Sequence, residues 1–244
     1  MQAIILAAGL GSRLRPLTDS VPKALTEING VPMLMRTLEM LTTQSISSIC
    51  IVVGYLKEKI EESVGKNYKG IPITYIENKI YNKTNNNYSL YLCNDYISED
   101  VLLIEGDLVF SQKALDTISD SQADANILVS AYNEKTMDGT VVFADQYKDA
   151  KFLLTKKQQN DSLDMTKGWK TVNIYKFKKN FIKNKFMPLL INYIETQNSN
   201  SYYELILGAL VYYGNSNIKI VEIDAKEWAE VDDQEDLRRA EEKF

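Results

Sequence analysis

Short unbroken apolar runs alternate along this chain with segments whose apolar residues recur every three or four positions. Ala3–Leu6, Ser48–Val53 and Val101–Ile104 belong to the first kind and predict strands buried on both faces. Ile73–Ile76, Asn126–Tyr132, Gly168–Phe177 and Ile218–Ile223 predict further strands, and Phe152–Leu154 is a short apolar stretch ending in Lys156-Lys157. Val31–Leu41 is of the second kind: Met33, Leu34, Leu38 and Leu41 fall on one helical face behind Pro32 at the first turn. The same spacing predicts helices at Lys57–Val64, Ala114–Ile118, Phe181–Ile194 and Tyr202–Tyr213. Another should start near Asn85 and carry Leu90, Leu92, Cys93 and Tyr96. Strands alternating with helices imply a mixed, mainly parallel sheet covered on both faces: a three-layer α/β/α sandwich in one domain over residues 1–244. The Asn-rich tract 78–87 carries almost nothing apolar and reads mostly as a solvated loop.

The first strand runs into Leu6-Ala7-Ala8-Gly9-Leu10-Gly11-Ser12-Arg13-Leu14-Arg15-Pro16. Gly9 and Gly11 permit φ > 0 and a close backbone approach to a ligand. Ser12, Arg13 and Arg15 add donors and permanent charge, and Lys23 follows in Pro22-Lys23-Ala24-Leu25. A glycine turn leaving a buried strand and followed by arginines suits a polyphosphate, whereas a plain tight turn does not require the cations. A dinucleotide fingerprint is disfavoured because its third glycine position holds Leu14, and no Gly-Lys-Ser/Thr of a P-loop is present.

Composition narrows the chemistry. With no histidine, general-base imidazole, histidine metal sites and Ser-His-Asp catalysis are excluded. Carboxylates, lysine, arginine and a hard metal remain, which suits phosphoryl or nucleotidyl transfer. A net charge of −5 gives no footprint for nucleic acid, so the N-terminal cations aim at a small anion. Cys50 and Cys93 lie in apolar surroundings and read as reduced core thiols of a cytoplasmic protein. No leader opens the chain and no apolar run approaches a membrane span.

Leu-Ala-Ala-Gly-x-Gly-Ser-Arg-Leu-x-Pro-Leu-Thr followed by Pro-Lys-Ala-Leu resembles the signature loop of the nucleotidyltransferase (pyrophosphorylase-like) superfamily, with a match from Ile4 to about Pro32. The resemblance implies the Rossmann-like nucleotide-diphospho-sugar transferase fold. It also implies that Leu6, Ala7, Ala8, Gly9, Gly11, Ser12 and Arg13 bind an NTP, with Lys23 at the α-phosphate. Asn85-Asn86-Asn87-Tyr88-Ser89-Leu90 resembles the cytidine pocket of bacterial phosphocholine and phosphonate cytidylyltransferases, carried by Asn85, Asn86 and Ser89. On their own these residues read first as a helix cap. Glu105-Gly106-Asp107 ends a strand where a lone acid is ordinarily a turn residue; the resemblance makes Glu105 part of the nucleotide site and Asp107 a Mg²⁺ ligand. Trp228-Ala229-Glu230-Val231-Asp232 resembles the C-terminal metal motif, with Asp232 as the second carboxylate and Glu230 its partner. Glu230 and Asp232 alternate along an extended segment and so share a face. Asp233–Asp236 is explained without function as the charged start of the last helix.

Acceptor residues are less sharply marked. Asp138-Gly139 is an ordinary hairpin signal, and its surroundings resemble phosphonate-handling relatives, which makes Asp138 a candidate for an acceptor's ammonium group. Lys156 is a candidate for the acceptor phosphate. Lys-Lys-Gln here replaces the Glu-Lys-Pro of hexose-1-phosphate enzymes. Gly168–Phe177 resembles an Asn-x-Gly-Ile-Tyr strand lining the acceptor pocket, with Tyr175 in register and the glycine missing. Trp169, Tyr202 and Tyr203 are either core aromatics or a cage for a quaternary ammonium. The reading is a Mg²⁺-dependent cytidylyltransferase joining CMP from CTP to a small phosphorylated or phosphonate acceptor. Its rivals are a hexose-1-phosphate nucleotidyltransferase using UTP, dTTP or GTP, and a catalytically silent nucleotide-binding module.

Overall fold

The computed structural model describes residues 1–134, 136–160, 163–214 and 217–244. The chain opens with β1 (Gln2–Ala7), the short pair β2 (Glu27–Ile28) and β3 (Val31–Pro32), α1 (Met33–Leu41), β4 (Ser48–Val53) and α2 (Lys57–Val64). Next come β5 (Asn67–Tyr68), β6 (Ile71–Glu77), α3 (Asn86–Tyr91), β7 (Val101–Glu105), β8 (Leu108–Phe110) and α4 (Gln112–Ser119). Then follow β9 (Ala125–Ala131), β10 (Val141–Ala144), β11 (Ala150–Leu154) and β12 (Trp169–Phe177). The last third holds α5 (Lys179–Phe181), α6 (Met187–Thr196), α7 (Glu204–Tyr212), β13 (Ile218–Glu222), β14 (Trp228–Glu230) and α8 (Gln234–Lys243). A π turn at Ile182–Phe186 joins α5 to α6, so the single helix expected over 181–194 is one run with a change of pitch.

β7, β1, β4 and β6 are neighbours in that order and parallel. β12 joins β7 antiparallel, β9 joins β12 antiparallel, and β13 returns parallel to β9. The mixed, mainly parallel sheet is therefore as expected. Strand alternation sends Ile4, Leu6, Cys50 and Val52 to one layer, where they meet Leu90, Leu190 and Leu207 from α3, α6 and α7. Ala3, Ile5, Ile49 and Ile51 face the other layer against Leu34, Leu38, Ile60 and Leu115 from α1, α2 and α4. Three layers follow directly from this period-two division.

A third cluster fixes the N-terminal loop. Leu14, Ile28, Met33, Val109, Val231 and Ala240 pack together away from the main sheet. Leu14, at the position where a dinucleotide fold needs glycine, is fully buried there and anchors the loop to the C-terminal helix.

Several expectations are corrected. The helix beginning near Asn85 ends at Tyr91, and residues 92–96 are turns. The Asn-rich tract is not uniformly solvated, since Asn78 and Asn87 are buried. Asn78 donates to Thr84 Oγ1 at 3.0 Å and Ser89 Oγ at 3.2 Å, while Asn87 donates to the Asn198 carbonyl at 3.0 Å. Asp138-Gly139 does not turn a hairpin: β10 pairs with β11 and β12, not β9. Of the two loop glycines, only Gly11 has positive φ, at 62°.

The structure also separates glycines needed for fold from those needed for access. A Cβ on Gly106 would lie 2.8 Å from the Leu6 carbonyl oxygen and 3.2 Å from Ala7. A Cβ on Gly9 would meet nothing within 4 Å. In chemical unfolding, Gly106→Ala should cost roughly 1–3 kcal/mol, while Gly9→Ala should stay within about 0.5 kcal/mol of the parent. Equal losses would show that the strand ends are not packed this closely.

Candidate active site

The carboxyl ends of β1 and β7 open into a cleft of about 1320 Å³. Parallel α/β sheets place ligands at this edge. Close backbone approach shapes the floor: Gly106 N–H donates to the Leu6 carbonyl at 2.9 Å, and Tyr55 N–H donates to the Ala8 carbonyl at 3.2 Å. Leu6, Ala7, Ala8, Gly9, Gly11, Ser12, Arg13 and Lys23 all line it, as the loop motif requires. Gly11 takes the left-handed conformation, and its carbonyl accepts Leu14 N–H at 3.0 Å and Thr18 Oγ1–H at 2.8 Å. A Cβ there would press on Lys23 Cβ and Thr18 Cγ2, both at 3.0 Å. The turn thus also sets the position of Lys23.

Residues far apart in sequence meet at that lysine. Lys23 Nζ donates to Asp107 Oδ2 at 2.7 Å and Asp232 Oδ1 at 2.6 Å. Arg13 Nη2 reaches the same Asp232 oxygen at 2.7 Å. The two acids are brought together by a small antiparallel ladder, β8 with β14, continued by Val231 N–H donating to the Asp107 carbonyl at 2.9 Å. Beyond Asp232, a reciprocal capping box between Asp233 and Asp236 starts α8, as expected for that acidic run. Burial alone would push the Lys23 ammonium pKa down, but Asp107 and Asp232 outweigh it and raise it. Burial likewise raises Asp232, yet Lys23 and Arg13 hold its carboxyl below the usual range. Asp107 Oδ1 is buried with no hydrogen-bond partner among the described residues. Among the described residues no group of three or more His, Cys, Asp or Glu side chains is arranged to hold a metal ion.

Asn85, Asn86, Ser89 and Glu105 line the same cleft. Both readings of the asparagines have support. Asn85 caps α3 with Oδ1, accepting from Asn86 N–H at 2.8 Å. The Asn86 amide instead faces acids, donating to Glu105 Oε1 at 3.0 Å and Glu204 Oε2 at 3.4 Å. Tyr203 hydroxyl also donates to Glu105 Oε1, at 2.8 Å. Burial pushes Glu204 up to about 7. It also pushes Glu105 well above the carboxylate range, with the Glu204 charge adding to the effect. Glu230 is raised by burial, against the opposing pull of Lys170.

The acceptor expectations divide. Asp138 and Lys156 both line the cleft but form an exposed ion pair with each other at 2.7 Å. Glu230 lines it too, accepting from Asn173 Nδ2 at 3.0 Å and Lys170 Nζ at 3.3 Å. Trp169 does not line it; its ring lies under Lys148, 5.2 Å away. Successive residues of β12 point to opposite faces, so the residue presented to the cleft is Lys170. Tyr175 is fully buried beneath the site, packed edge-to-face on Tyr203 at 5.6 Å, and lines no part of the cleft. Of Trp169, Tyr202 and Tyr203, only Tyr202 lines it.

Lys170, Asn173 and Glu204 are among the cleft residues that went unmarked in the sequence. Lys170 is a buried charge in β12 and Glu204 a buried charge opening an otherwise apolar helix, and the latter contrast was the available signal. Asn173 has φ 60° at the place where the missing glycine was noted, so asparagine fills the left-handed position. A carboxyl whose pKa rises on folding binds its proton more tightly in the native state, so stability falls as pH climbs from about 4.5 to 7. Glu204→Gln should remove this loss. In denaturant titrations at pH 5 and pH 8, the variant should gain on the order of 1–3 kcal/mol relative to the parent at the higher pH; parallel curves would mean that Glu204 ionises freely.

The family model for nucleotidyl transferases matches residues 2–242. The chain is 31% identical over its whole length to the CMP-5′-(3-aminopropyl)phosphonate synthase of Streptomyces rubellomurinus, and spans 39% of that protein. It is 33% identical over 171 residues to the UTP–glucose-1-phosphate uridylyltransferase of Haloferax volcanii, a stretch covering 68% of this chain and 70% of the relative. In structure it resembles the CTP:phosphocholine cytidylyltransferase of Streptococcus pneumoniae, with a TM-score of 0.80, 24% identity and coverage of 99% and 97%. Glycine turn, lysine clamp and paired acids thus sit in a chain that belongs to the nucleotidyl transferase family.

Proposed function

We propose that this chain transfers CMP from CTP to a small phosphorylated or phosphonate acceptor, releasing pyrophosphate. The observation that carries the reading is Lys23 held between Asp107 and Asp232 beside the Gly11 turn. In this reading the loop cradles the triphosphate, and Arg13 leaves Asp232 for the departing pyrophosphate. Arg13 is exposed, so its pairing in the free protein is cheap to break. Lys23 neutralises charge at the α-phosphorus. An acceptor oxygen attacks there as the bond to pyrophosphate breaks, and the electron pair leaves on pyrophosphate. Asn85, Asn86 and Ser89 border the cytidine half, and Lys156 meets the acceptor's anionic end after parting from Asp138.

Asp107 and Asp232 fit a hard divalent ion such as Mg²⁺. They offer only oxygen, one buried Asp107 oxygen has no partner, and Mg²⁺ takes one or two carboxylates together with substrate phosphates. When bound, the ion would offset charge on the phosphates. Cytidine is favoured over uridine because the phosphonate-handling relative matches the entire chain. The Lys156-Lys157-Gln158 stretch also lacks the Glu-Lys-Pro that the family resemblance associates with hexose-1-phosphate enzymes.

Pyrophosphate release with CTP, UTP, dTTP and GTP, each against phosphocholine, 2-aminoethylphosphonate and glucose-1-phosphate, tests the reading. CTP with a phosphonate or phosphocholine acceptor should turn over, and a preference for UTP with glucose-1-phosphate would replace it. Lys23→Ala should lower kcat by about 10²–10³-fold; a parental rate would remove Lys23 from the reaction. Asp232→Asn should keep the parental circular dichroism spectrum and lose the Mg²⁺ dependence of turnover. An unchanged Mg²⁺ titration would take Asp232 out of the metal site.

A further inference from the structure

Asn78 follows β6 directly and lines the cleft, although only 1% of it is exposed. Its backbone is tied to the sheet: its N–H donates to the Val53 carbonyl at 2.8 Å, and its own carbonyl accepts from Tyr81 N–H at 3.3 Å. Its side chain is equally determined. Oδ1 accepts from Ile80 N–H at 3.1 Å, a group that can only donate, so the amide nitrogen has to face the other way. That nitrogen donates to Thr84 Oγ1 at 3.0 Å and to Ser89 Oγ at 3.2 Å, which uses both of its hydrogens.

The two hydroxyls that receive these bonds differ in where their own protons go. Thr84 Oγ1 donates onward to the Ile80 carbonyl at 3.0 Å, so its proton is placed. Ser89 is 4% exposed and lines the cleft, and among the described residues its hydroxyl proton has no acceptor. A buried donor without an acceptor is costly, and such exceptions in a native interior call for a reason. Asn78 cannot take the proton, because an amide nitrogen that donates both hydrogens offers no lone pair. The acceptor therefore has to enter through the cleft.

Resting on the cytidylyl-transfer reading, in which Ser89 borders the nucleobase, we infer that Asn78 is a positioning residue for base choice. It holds the Ser89 hydroxyl as a donor toward N3 of the base and so selects cytosine over uracil. The two rings have nearly the same size and shape, so hydrogen-bond polarity on the Watson–Crick edge is what separates them. Cytosine presents a bare N3, which accepts; uracil carries a hydrogen there and can only donate. A cytosine ring completes a run in which Ile80 N–H donates to Asn78, Asn78 to Ser89, and Ser89 to N3. A uracil ring breaks it. The serine oxygen keeps one lone pair beyond the bond from Asn78, but spending it on a uracil N3–H leaves the serine proton buried and unpaired.

Asn78→Asp keeps the shape and reverses the polarity, since a carboxylate takes the Ser89 proton and leaves only lone pairs toward the base. The test measures kcat/KM for CTP and UTP with 2-aminoethylphosphonate or phosphocholine, whichever the parent turns over faster, and nucleotide affinity by calorimetry without acceptor. The parent should favour CTP by at least about tenfold, and Asn78→Asp should shrink the CTP-to-UTP ratio by about tenfold or more in both readouts. Ser89→Ala should shrink it similarly, and adding Asn78→Asp to Ser89→Ala should shrink it no further, because the two side chains act as one unit. A parent that handles CTP and UTP alike, an undiminished ratio in either folded single variant, or a second full loss in the double variant overturns the inference and leaves nucleotidyl transfer standing. A parent that prefers UTP with glucose-1-phosphate overturns both readings. If Asn78→Asp does not fold, the ratio in Ser89→Ala decides.

Discussion

A single ammonium group ties this molecule's ends to its middle. Lys23 Nζ is bonded to Asp107 after β7 and to Asp232 just before α8, so three segments more than 80 residues apart depend on one charge. Breaking such a cluster by removing the lysine leaves two partly buried carboxylates facing each other, and this repulsion costs more than the lost bonds. The clamp also constrains the loop before it. Gly11 turns left-handed, and any Cβ there would push into Lys23 and Thr18. Loop geometry, lysine position and acid convergence are therefore one constraint.

Hydrophobic packing makes the constraint affordable. Leu14 leaves the loop and fills a cluster with Val109, Val231 and Ala240, while β8 and β14 pair residue for residue beside it. This small second assembly is tied to one layer of the main sheet through Leu108, Phe110 and Trp228. It holds Asp107 and Asp232 at the ends of adjacent strands, where backbone hydrogen bonds fix their separation before any side chain acts. A site on paired strands is held more closely than one on free loops.

How much could be read from residues alone follows from how local each feature is. The loop was legible because it is contiguous: glycine, hydroxyl and cations fall within five residues. The main strands and the three layers were legible from period-two and helical spacing. Convergence of Asp107 and Asp232 was not contained in any local pattern, and came only through resemblance to known enzymes. The acceptor wall was the least legible. Trp169 stood out as the large aromatic, but strand alternation hands the cleft to its neighbour Lys170. Glu204 begins a helix whose other residues are nearly all apolar, so it passed as an ordinary first-turn acid. Burial of Asn78 and Asn87 was hidden for a similar reason, since composition does not tell which amides find partners.

The cleft pairs Arg13 and Lys23 with Asp107 and Asp232, and it also holds Glu105, Glu204 and Glu230. Burial raises the carboxyls of these three glutamates, so the fold gives up stability there near neutral pH. A chain selected for stability alone would hold glutamine or leucine at those positions, because uncharged side chains of that size fill the same space without the desolvation penalty. Natural folds tolerate such local losses mainly where a ligand is met. The cost is concentrated at the cleft, so these carboxyls are kept for what enters it and not for stability.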